Sequence, residues 1–550
     1  MTARELSTAE AIVASLVAHG VDTVFGIPGA HTYALVDAIA REPSIKFVTT
    51  RHEQGAAYMA LGYAISTGRT GVFTVVPGPG ILNTTAAIAT AIAGNAPVLG
   101  ITANVMSFNI GKGRGQLHEL PDQLATLRSL TKHSERIPDA AAAPAMVADA
   151  FRSMHTGNPG PATLEVAWDH LGARGLVDLD VDRSVPEPPT ADPAAITAAA
   201  DLIVAAENPL IIVGAGAQHA STEVLGLAEL LQAPVTSHRS GKGVVDDRLA
   251  LGLRSADAWQ HWPDVDLVIG IGSRLELLGF RWGGHPTDRQ TVRIEIDEAE
   301  LERTPATVGI LADSAEGTAT LTAALRERIE PRSDRSAQFE ACLRDAEAAI
   351  SEVMPYIDYL RAIRAALPED GFFVDEITQI GFTARFAFPT YQPRSYVSCG
   401  YQDNLGFGFH TALGVKVANP DRPVVAVSGD GGFMFGVQEL ATAVQHGISL
   451  VVVLFDNGGY GNVRRDQQVQ YEGRVLGSEL TNPDFVALAH AFGARADQVA
   501  TPADLKVAVE KAVVHAGPSL IHVPIDPADE VSPWPHYMPA GRPADRLTKD

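Results

Sequence analysis

Cysteine, basic residues and long apolar runs are all scarce in this chain. Only two of the 550 residues, Cys342 and Cys399, are cysteines, which leaves no disulfide framework and no zinc-type spacing. Lysine and arginine number 42 against 65 acidic residues, so the net charge is −23. That charge argues against a nucleic-acid partner or an anionic membrane surface. No stretch reaches the ~20 apolar residues of a membrane span, and the N-terminus lacks the shape of a signal peptide. We therefore expect a cytoplasmic enzyme with no membrane partner.

The length predicts roughly three or four domains. Two polar, proline-containing linkers, at 183–193 and 329–336, divide the chain into similar thirds. We therefore predict domains at 1–183, 194–330 and 337–550. In each third, apolar β-branched runs alternate with helical patterns, which is typical of parallel sheets covered on both faces. The predicted fold class is α/β, with three doubly wound parallel-sheet domains. The runs predicted as strands are 21–25, 71–76, 98–102, 209–213, 267–271, 292–296, 424–428, 450–455 and 519–523.

The most informative segment contains Asp430 within Gly-Asp-Gly-Gly, followed later by Asn457. An apolar run at 423–427 precedes the first motif, and another at 450–455 precedes the second. Both runs predict buried parallel strands, so a carboxylate and an amide oxygen follow two strand ends. Ligands of open α/β sheets bind at that edge. These oxygens suit Mg²⁺, and the glycines allow backbone amides to approach a diphosphate. Gly-Asp-Gly by itself also fits an ordinary turn.

This pair of motifs resembles the metal–diphosphate motif of thiamine diphosphate (ThDP) enzymes, in which Gly-Asp-Gly is followed within thirty residues by Asn-Asn. The first Asn of that pair is replaced here by Asp456, and the second is kept as Asn457. The resemblance implies ThDP and Mg²⁺ as cofactors. It implies Asp430, Asn457 and the carbonyl of Gly459 as metal ligands. The remaining cofactor-binding residues that it implies around these motifs are Gly429, Gly431, Gly432, Tyr460 and Gly461.

The first third contains a second resemblance, in Arg51-His52-Glu53. These residues follow a predicted strand and begin a helix, as does the His-Glu pair of the ThDP family. Glu53 matches the glutamate that contacts the aminopyrimidine ring of the cofactor. A carboxyl group at that ring nitrogen drives the tautomerisation that activates ThDP. Taken alone, the three residues also fit a solvated charge cluster at a helix start.

Three loops of the first third are similar to loops on the substrate and pyrimidine sides of the family's site. Gly29-Ala30-His31 resembles a loop of benzaldehyde lyase, which implies that His31 faces the substrate. The segment from Pro77 to Asn83 resembles the Gly-Pro-Gly-x-x-Asn turn beside the pyrimidine, so both of these residues are expected near the cofactor. His118 lies where acetolactate synthases carry Gln-Glu and oxalyl-CoA decarboxylases carry Tyr-Glu. Its imidazole is expected to act as an acid or base, or to bind a carboxylate.

The last third completes the expected site. Leu405 matches the bulky side chain that bends ThDP, where acetolactate synthases and benzaldehyde lyase use Met, although a lone leucine is otherwise ordinary core. The carbonyl of Asp403 is then expected to accept from the cofactor's amino group. Thr378 and Gln379 match residues that bind diphosphate oxygens. Asn462 lies where family members contact the substrate, and the tail after residue 526 is expected to cover the site.

The central third contains a strand followed by Gly214-Ala215-Gly216. The third glycine of the dinucleotide fingerprint is absent, which argues against NAD. Family members use this domain for FAD or ADP, or leave it empty. The flavin-associated pattern is not found near Arg274, so we expect neither FAD nor ADP. A nucleotide-binding oxidoreductase remains an alternative, and a flavin absorbance spectrum would test it.

The resemblance covers essentially the whole chain and implies a homodimer or homotetramer with active sites between subunits. The implied catalytic residues are Glu53, His31, His118 and Leu405. The implied reaction is C–C bond lysis or carboligation on a 2-oxo acid through ylide and enamine intermediates, as in an acetolactate synthase or a 2-oxo acid decarboxylase. The alternative is a benzaldehyde lyase-like enzyme, or one similar to 2-hydroxyacyl-CoA lyase or oxalyl-CoA decarboxylase, acting on an acyloin or acyl-CoA. A catalytically silent regulatory subunit is a third hypothesis, which the intact motifs oppose.

Overall fold

The computed structural model describes residues 3–283 and 289–540. Its elements form three α/β units, each built on a six-stranded parallel sheet. The predicted fold class is therefore confirmed, and every run predicted as a strand falls on a strand. Nothing tests the exact domain boundaries, which stay a prediction. None of the helices in the described ranges is long and apolar enough to cross a membrane.

The first unit has the sheet order β3-β2-β4-β5-β7-β6, with β1 and β8 paired as a separate antiparallel ribbon. Its strands are β1 Arg4–Ser7, β2 Thr23–Gly26, β3 Lys46–Thr49, β4 Gly71–Val75, β5 Val98–Asn104, β6 His133–Ile137, β7 Ala162–Ala167 and β8 Arg174–Val177. Its helices are α1 Thr8–Ala18, α2 Tyr33–Ala40, α3 Glu53–Thr67, α4 Pro79–Leu82, α5 Thr85–Ala93, α6 Gln123–Arg128, α7 Ala143–His155 and α8 Trp168–Leu171.

The central unit has the order β11-β10-β9-β12-β13-β14. Its strands are β9 Pro209–Val213, β10 Val235–Ser237, β11 Gly252–Leu253, β12 Leu267–Ile271, β13 Gln290–Glu295 and β14 Val308–Leu311. Its helices are α9 Pro193–Ala205, α10 Ser221–Leu231, α11 Ser255–His261, α12 Glu298–Arg303 and α13 Ser314–Arg326.

The third unit has the order β16-β15-β17-β18-β20-β19. Its strands are β15 Phe372–Val374, β16 Tyr396–Val397, β17 Val424–Gly429, β18 Val451–Asp456, β19 Arg495–Gln498 and β20 Ser519–Pro524. Its helices are α14 Ser336–Ile350, α15 Tyr356–Ala366, α16 Gln379–Ala387, α17 Phe407–Ala418, α18 Asp430–Phe433, α19 Glu439–Gln445, α20 Gly461–Gln470, α21 Phe485–Ala491, α22 Pro502–Ala512 and α23 Trp534–Tyr537.

Strand order places a crevice at the carboxyl edge of each sheet. In the first and third units the sheets share one topology, with the second strand of the unit at the edge and the first strand beside the third. The central sheet follows the 3-2-1-4-5-6 order of dinucleotide-binding folds. In each case the order reverses beside the first strand of the six-stranded sheet, β2, β9 or β15, and such reversal points are where open α/β sheets bind ligands.

The first and third units share one apolar core, centred on helices α3 and α17. These helices approach so closely that a Cβ added at Gly62 would overlap the carbonyl oxygen of Thr411, and one at Gly414 would overlap that of Met59. The central unit has an apolar core of its own. The first and third sheets are thus held together within one chain by a helix crossing that requires glycine.

Candidate cofactor site

A cavity of about 130 Å³ lies at the carboxyl edge of the third sheet, beside β15 and β17. The two strands are apolar and buried, and each ends in a polar turn at this edge. All the residues that the sequence assigned to the cofactor or substrate in the last third line this cavity, except Asp403. They are Thr378, Gln379, Leu405, Gly429, Asp430, Gly431, Gly432, Asn457, Gly459, Tyr460, Gly461 and Asn462.

Asp430 presents a buried carboxylate to this cavity from the first residue of α18. Its Oδ2 atom accepts from the backbone N–H of Gly459 at 2.9 Å and from Nδ2 of Asn482 at 2.7 Å. Burial raises the pKa of Asp430, against the hydrogen bond from Asn482. A buried carboxylate with so few donors has room for a cation, which would offset the cost of its burial.

Asp456, where the family motif has Asn, belongs to a hydrogen-bonded frame. Its Oδ1 accepts from the N–H of Gly458 at 3.1 Å and from Asn482 at 2.7 Å, and its Oδ2 lies 3.0 Å from Nε2 of His522. Burial opposes ionisation of Asp456, but hydrogen bonds from His522, Gly458 and Asn482 hold its pKa below the ordinary value. Asp456 therefore shapes the loop that carries Asn457.

The side chain of Asn457 is held by the C-terminal tail. Its Nδ2 donates to Oε1 of Glu530 at 2.7 Å, and the same oxygen accepts from the hydroxyl of Tyr356 at 2.5 Å. The carbonyl oxygen of the Asn457 amide is thus the end that Glu530 does not bind.

The glycines of the cavity form a cradle for a group that approaches the backbone. A Cβ added at Gly431 would overlap the ring of Tyr460, and one at Gly429 would lie 2.9 Å from the methyl group of Thr378. Thr378 itself caps α16 by accepting from the N–H of Gly381 at 3.0 Å. Oε1 of the neighbouring buried Gln379 has no hydrogen-bond partner in the described structure. The glycine cradle beside the N-terminus of α16 fits a diphosphate bound at the start of a helix.

A cation at this place would have a mixed ligand set. Among residues 3–283 and 289–540, no group of three or more His, Cys, Asp or Glu side chains is arranged to hold a metal. One carboxylate, one amide oxygen and a backbone carbonyl, together with phosphate oxygens, suit Mg²⁺, which takes few protein ligands. The donor set therefore fits Mg²⁺ bound with a diphosphate, and does not fit a closed zinc site.

The loop that carries Asp403 and Leu405 rests on two buried arginines. The carboxylate of Asp403 accepts from Arg385 Nη1 at 2.9 Å and from Arg239 Nη2 at 2.9 Å. Burial opposes ionisation of Asp403, but these guanidinium groups hold its pKa below the ordinary value. Both arginines also donate to the hydroxyl of Tyr537, at 2.9 and 3.2 Å. The loop, the central unit and the tail are thereby joined through one charged cluster.

The first unit contributes a second group of predicted residues. Glu53 begins α3, and its Oε2 accepts from Nδ2 of Asn83 at 3.0 Å. Gly80 lies beside it, since a Cβ there would be 3.6 Å from Oε1 of Glu53. Pro77 is buried at the start of the same turn. Glu53 and Asn83 are thus in contact, and Pro77 lies in the same turn as Asn83.

His31 and His118 lie side by side. Their rings stack at a centroid distance of 4.9 Å, and the ring of Trp168 lies 4.4 Å from that of His31. His31 is fully buried, and burial together with the nearby His118 lowers its pKa. A Cβ at Gly78 would lie 2.5 Å from the carbonyl oxygen of His118, so the two loops are in contact. The structure places both histidines beside the turn that contacts Glu53.

Buried polar groups fix that turn. The N–H of Gly78 donates to Oε1 of Gln123 at 3.1 Å, and Nε2 of Gln123 donates to Glu165 at 2.8 Å. The buried Glu165 also forms an ion pair with Arg136 at 2.5 Å. This chain of contacts holds the turn at Gly78 and the start of α6 against β7.

The two groups do not meet within one chain. The cavity of the third unit is lined by residues between 356 and 463, and Glu53, His31 and His118 are not among them. Instead, the residues just before Glu53 contact α19, where Glu439 accepts from the N–H groups of Arg51 and His52 at 3.1 and 2.9 Å. The two groups of predicted residues, called half-sites below, are therefore separate in the described part of the chain.

A second, larger cavity of about 340 Å³ lies where the three units meet. Its lining includes Ala215 and Gly216 from the turn after β9. The N–H groups of Gly214 and Gly216 donate within the protein, to Ile271 and Gly272, each at 3.1 Å. Carboxylates from Glu295 and Asp313 line the same space. These two amides are therefore occupied, and the space also holds two arginines, Arg274 and Arg394, beside the two acids.

The amide oxygen of Asn462 accepts hydrogen bonds from two residues. Its Oδ1 accepts from Nε1 of Trp534 at 2.5 Å and from Nη2 of Arg465 at 3.0 Å. Asn462 lines the cavity, but its side chain joins α20 to the tail.

Four residues of the site were not predicted: Tyr356, Asn482, Glu530 and Trp168. Each is a single residue in a segment without a recognisable pattern, and Glu530 lies 73 positions from Asn457. Single residues of this kind belong to no motif, so their contacts with the site are visible only in the folded structure.

The fold, the glycine cradle and the Asp430–Asn457 pair define a ThDP-binding protein. Comparison with protein-family models gives the same result over most of the chain. Residues 6–126 match the thiamine pyrophosphate enzyme N-terminal TPP binding domain, residues 196–323 the central domain and residues 376–523 the C-terminal TPP binding domain. The chain belongs to the thiamine pyrophosphate (ThDP) enzyme family.

The relatives of similar sequence belong to the acetolactate synthase-like branch of this family. The chain is 34% identical to the probable 2-ketoarginine decarboxylase AruI of Pseudomonas aeruginosa, over 91% of this chain and 90% of that protein. It is 33% identical to a probable acetolactate synthase large subunit of Methanocaldococcus jannaschii, over 97% and 94%. It is 28% identical to the acetolactate synthase isozyme 1 large subunit of Escherichia coli, over 97% and 96%. The chain is thus an enzyme of this family, and these relatives are named for two activities, 2-ketoarginine decarboxylation and acetolactate synthesis.

Proposed function

We propose that this protein is a Mg²⁺- and ThDP-dependent enzyme that breaks or forms a C–C bond next to the carbonyl group of a 2-oxo acid. The observation that carries the proposal is the single cavity lined by Asp430, Asn457, Gly459 and Gln379. When bound, ThDP supplies the carbon nucleophile and the electron sink that such a reaction needs.

The chain's own residues have separate tasks in this proposal. Asp430, Asn457 and the Gly459 carbonyl hold Mg²⁺, and Thr378, Gln379 and the glycines of the cavity hold the diphosphate. Leu405 is half-buried on the wall of the cavity, where it supports a bent cofactor. Glu53 holds and exchanges a proton with the cofactor ring, with Asn83 orienting its carboxylate. His31 and His118 face the substrate and exchange protons with it.

The complete site is proposed to form between two copies of the chain. Glu53 of one copy would then face the cavity of the other, because its own cavity lacks first-unit residues. Large apolar side chains are exposed around both half-sites, including Tyr33 and Phe108 in the first unit and Phe435 and Val463 in the third. A homodimer or homotetramer would cover such surfaces.

The substrate proposed first is a 2-oxo acid. The names of the relatives, 2-ketoarginine decarboxylase and acetolactate synthase, support this choice. A second candidate is an acyloin or acyl-CoA lyase, similar to benzaldehyde lyase or 2-hydroxyacyl-CoA lyase. The stacked imidazoles of His31 and His118 favour it, since an alcohol group requires a base to remove its proton.

Two further parts of the proposal concern the central unit and the cellular location. We propose that the central unit binds neither FAD nor ADP, which the internally bonded amides of Gly214 and Gly216 support. A cytoplasmic location is supported by the unpaired Cys342 and Cys399, because thiols persist in reducing compartments.

The experiment that tests the function is turnover of pyruvate and of 2-ketoarginine by the purified protein with ThDP and Mg²⁺. Released CO₂, acetolactate and aldehyde are measured together, with Asp430→Asn as the inactive control. Acetolactate with CO₂ identifies a synthase, and CO₂ with aldehyde identifies a decarboxylase. Inactivity on both acids, in protein that binds ThDP, would contradict the first candidate. Acyloins and 2-hydroxyacyl-CoA would then be tested, with His31→Ala and His118→Ala.

A further inference from the structure

We infer that Glu530 is a positioning residue for the metal site, and that it fixes the orientation of the Asn457 amide so that the carbonyl oxygen is presented to Mg²⁺. This inference rests on the proposed function, because it requires Mg²⁺ beside Asp430 and Asn457.

An asparagine binds a metal only through its oxygen, and its two amide atoms are nearly equal in shape. A site that relies on asparagine therefore needs a contact that distinguishes the two ends. Glu530 supplies one, since its Oε1 lies 2.7 Å from Nδ2 of Asn457. An ionised carboxylate only accepts hydrogen bonds, so the atom facing it must be the NH₂ group.

Tyr356 donates a second hydrogen bond to Glu530 and so helps to hold its carboxylate in place. Its hydroxyl donates to the same Oε1 atom at 2.5 Å, and Tyr356 is buried, with 2% of its surface exposed. A charged acceptor bound by two donors is held in one rotamer and strengthens both hydrogen bonds. Glu530 is thus fixed from the side of α15 and can in turn fix Asn457.

Gly461 makes room for this orientation. A Cβ at Gly461 would overlap Nδ2 of Asn457 but would lie 3.7 Å from its Oδ1. The NH₂ end therefore lies over Gly461, against Glu530, and the oxygen lies at the other end of the amide group. Asn457 also lines the cavity that contains Asp430.

The tail that carries Glu530 is itself anchored. The N–H of Val531 donates to the carbonyl of Met354 at 2.8 Å, and Tyr537 accepts from Arg385 at 2.9 Å. Residues outside the ligand set that orient ligands usually contribute a factor of about 10–100 to metal affinity. The C-terminal segment is therefore part of the metal site, although none of its residues is a proposed ligand.

The test measures the Mg²⁺ concentration that half-saturates ThDP binding, by calorimetry or tryptophan fluorescence, with the full-length protein. We expect Glu530→Ala to raise this concentration by about tenfold or more. Glu530→Gln keeps an acceptor oxygen and is expected to restore most of the affinity. Asp529→Ala, an exposed neighbour in the same turn, is the matched control and should leave the value unchanged.

Repeating Glu530→Ala in an Asn457→Asp variant distinguishes an effect on the orientation of the Asn457 amide from a general loss of stability. In Asn457→Asp both side-chain oxygens are equivalent, so no orienting partner is needed, and Glu530 faces a like charge. Adding Glu530→Ala to this variant should leave Mg²⁺ affinity unchanged or improve it, the opposite of its effect in the wild-type background. This comparison remains informative if a single variant is less stable.

Three results would overturn the inference. Equal losses of Mg²⁺ affinity on adding Glu530→Ala to wild type and to Asn457→Asp would show a structural role only. A Glu530→Ala protein with a lower melting temperature but an unchanged Mg²⁺ requirement would show the same. Wild-type ThDP binding that is independent of both Mg²⁺ and Asp430→Asn would overturn the proposed metal site itself, and the role of Glu530 with it.

Discussion

At the scale of one residue, the environment of the Glu53 carboxylate fits its proposed role in proton exchange. It begins a helix and accepts a hydrogen bond from Asn83, so its carboxylate has one orientation. Its own chain leaves it half-buried, and the cofactor and a second chain are proposed to cover it. In this proposal, the cofactor and the second chain supply the remaining contacts of the carboxylate.

We expect Glu53→Gln to lower kcat by about 10²–10⁴-fold, because a glutamine cannot exchange a proton with the cofactor ring. ThDP and Mg²⁺ binding should remain, since the half-site around Asp430 is untouched. Steady-state kinetics and a ThDP titration measure the two effects separately. Unchanged turnover in this variant would refute the catalytic assignment of Glu53.

Glu376 is a buried acid that the proposed reaction does not use. Its carboxylate accepts from the N–H of Gly408, at the start of α17, at 2.9 Å and from the N–H of Ile377 at 3.1 Å. Burial nevertheless raises the pKa of Glu376 to about 7, above the ordinary 4.5. The folded protein therefore binds a proton here more tightly than the unfolded chain does.

This difference predicts a pH dependence of stability. The stabilisation from the bound proton is complete below about pH 4.5 and is lost as the pH rises through about 7. From pH 5 to pH 8, the melting temperature of the wild type should fall by ~2 °C or more relative to Glu376→Gln. Calorimetric scans of both proteins without cofactor measure the difference. Parallel profiles would show that Glu376 titrates at its ordinary pKa.

At the scale of elements, the crossing of α3 and α17 couples the two half-sites of one chain. Helix α3 begins with Glu53, and α17 follows the loop of Leu405. The N–H groups at the start of α3 are bound by Glu439 of α19, and Asn404 accepts from Thr90 of α5 at 3.2 Å. A change in the distance between these helices would move both half-sites.

We expect Gly62→Ala to destabilise the protein by about 1–3 kcal/mol, because the new Cβ would overlap the Thr411 carbonyl and force the helices apart. Melting temperature and the ThDP half-saturation concentration are the measurements. Gly226→Ala in α10 is the matched control, since no atom lies within 4 Å of its added Cβ. That control should be neutral or stabilise by about 1 kcal/mol. Equal effects of the two substitutions would contradict the close crossing.

The short helix α23 makes a second coupling between elements, through Tyr537. Removing its hydroxyl in Tyr537→Phe deprives the buried Arg239 and Arg385 of a shared acceptor, which costs about 1–3 kcal/mol. Because the same arginines hold Asp403, we expect weaker ThDP binding as well as a lower melting temperature.

The control for this substitution is Tyr359→Phe, whose hydroxyl donates to the carbonyl of Ala500 at 3.0 Å, outside the cavity. It should lower the melting temperature without changing ThDP affinity. Unaltered ThDP binding in Tyr537→Phe would show that the tail and the Asp403 loop are independent.

At the scale of the whole molecule, we propose that the two half-sites of one chain belong to two different active sites. The cavity contains no first-unit residue, and apolar side chains around both half-sites are exposed. A symmetric dimer would bring each Glu53 to the Asp430 of the other chain, and would form two sites at once.

Mixing two inactive variants tests this arrangement. In a dimer of Glu53→Gln and Asp430→Asn chains, one site carries both substitutions and the other carries neither. Random reassembly of equal amounts should therefore recover about a quarter of the wild-type activity, since half of the dimers are mixed. Each variant alone is the control. No recovery, in mixtures shown to exchange subunits, would place each complete site within a single chain.

The sequence alone determined the fold class, the central strands and most of the cavity lining. Apolar β-branched runs fix parallel strands because both faces of such a sheet are buried. Gly-Asp-Gly and the Asn-Gly turn must follow those strands, so Asp430 and Asn457 share an edge. Glu53 and Asn83 were assigned from their resemblance to family motifs, and the structure places each after a strand of the first sheet.

Only the tertiary structure decided which side chains surround these residues. Asn482, Glu530 and Tyr356 meet the metal-site residues through folds of the chain that leave no periodic signal, and Asn462 is bound by the tail. The physical reason is the separation along the chain of the residues that interact. Strand patterns and turn glycines act through the local backbone, which the sequence records directly. Contacts between distant side chains depend on how the units pack.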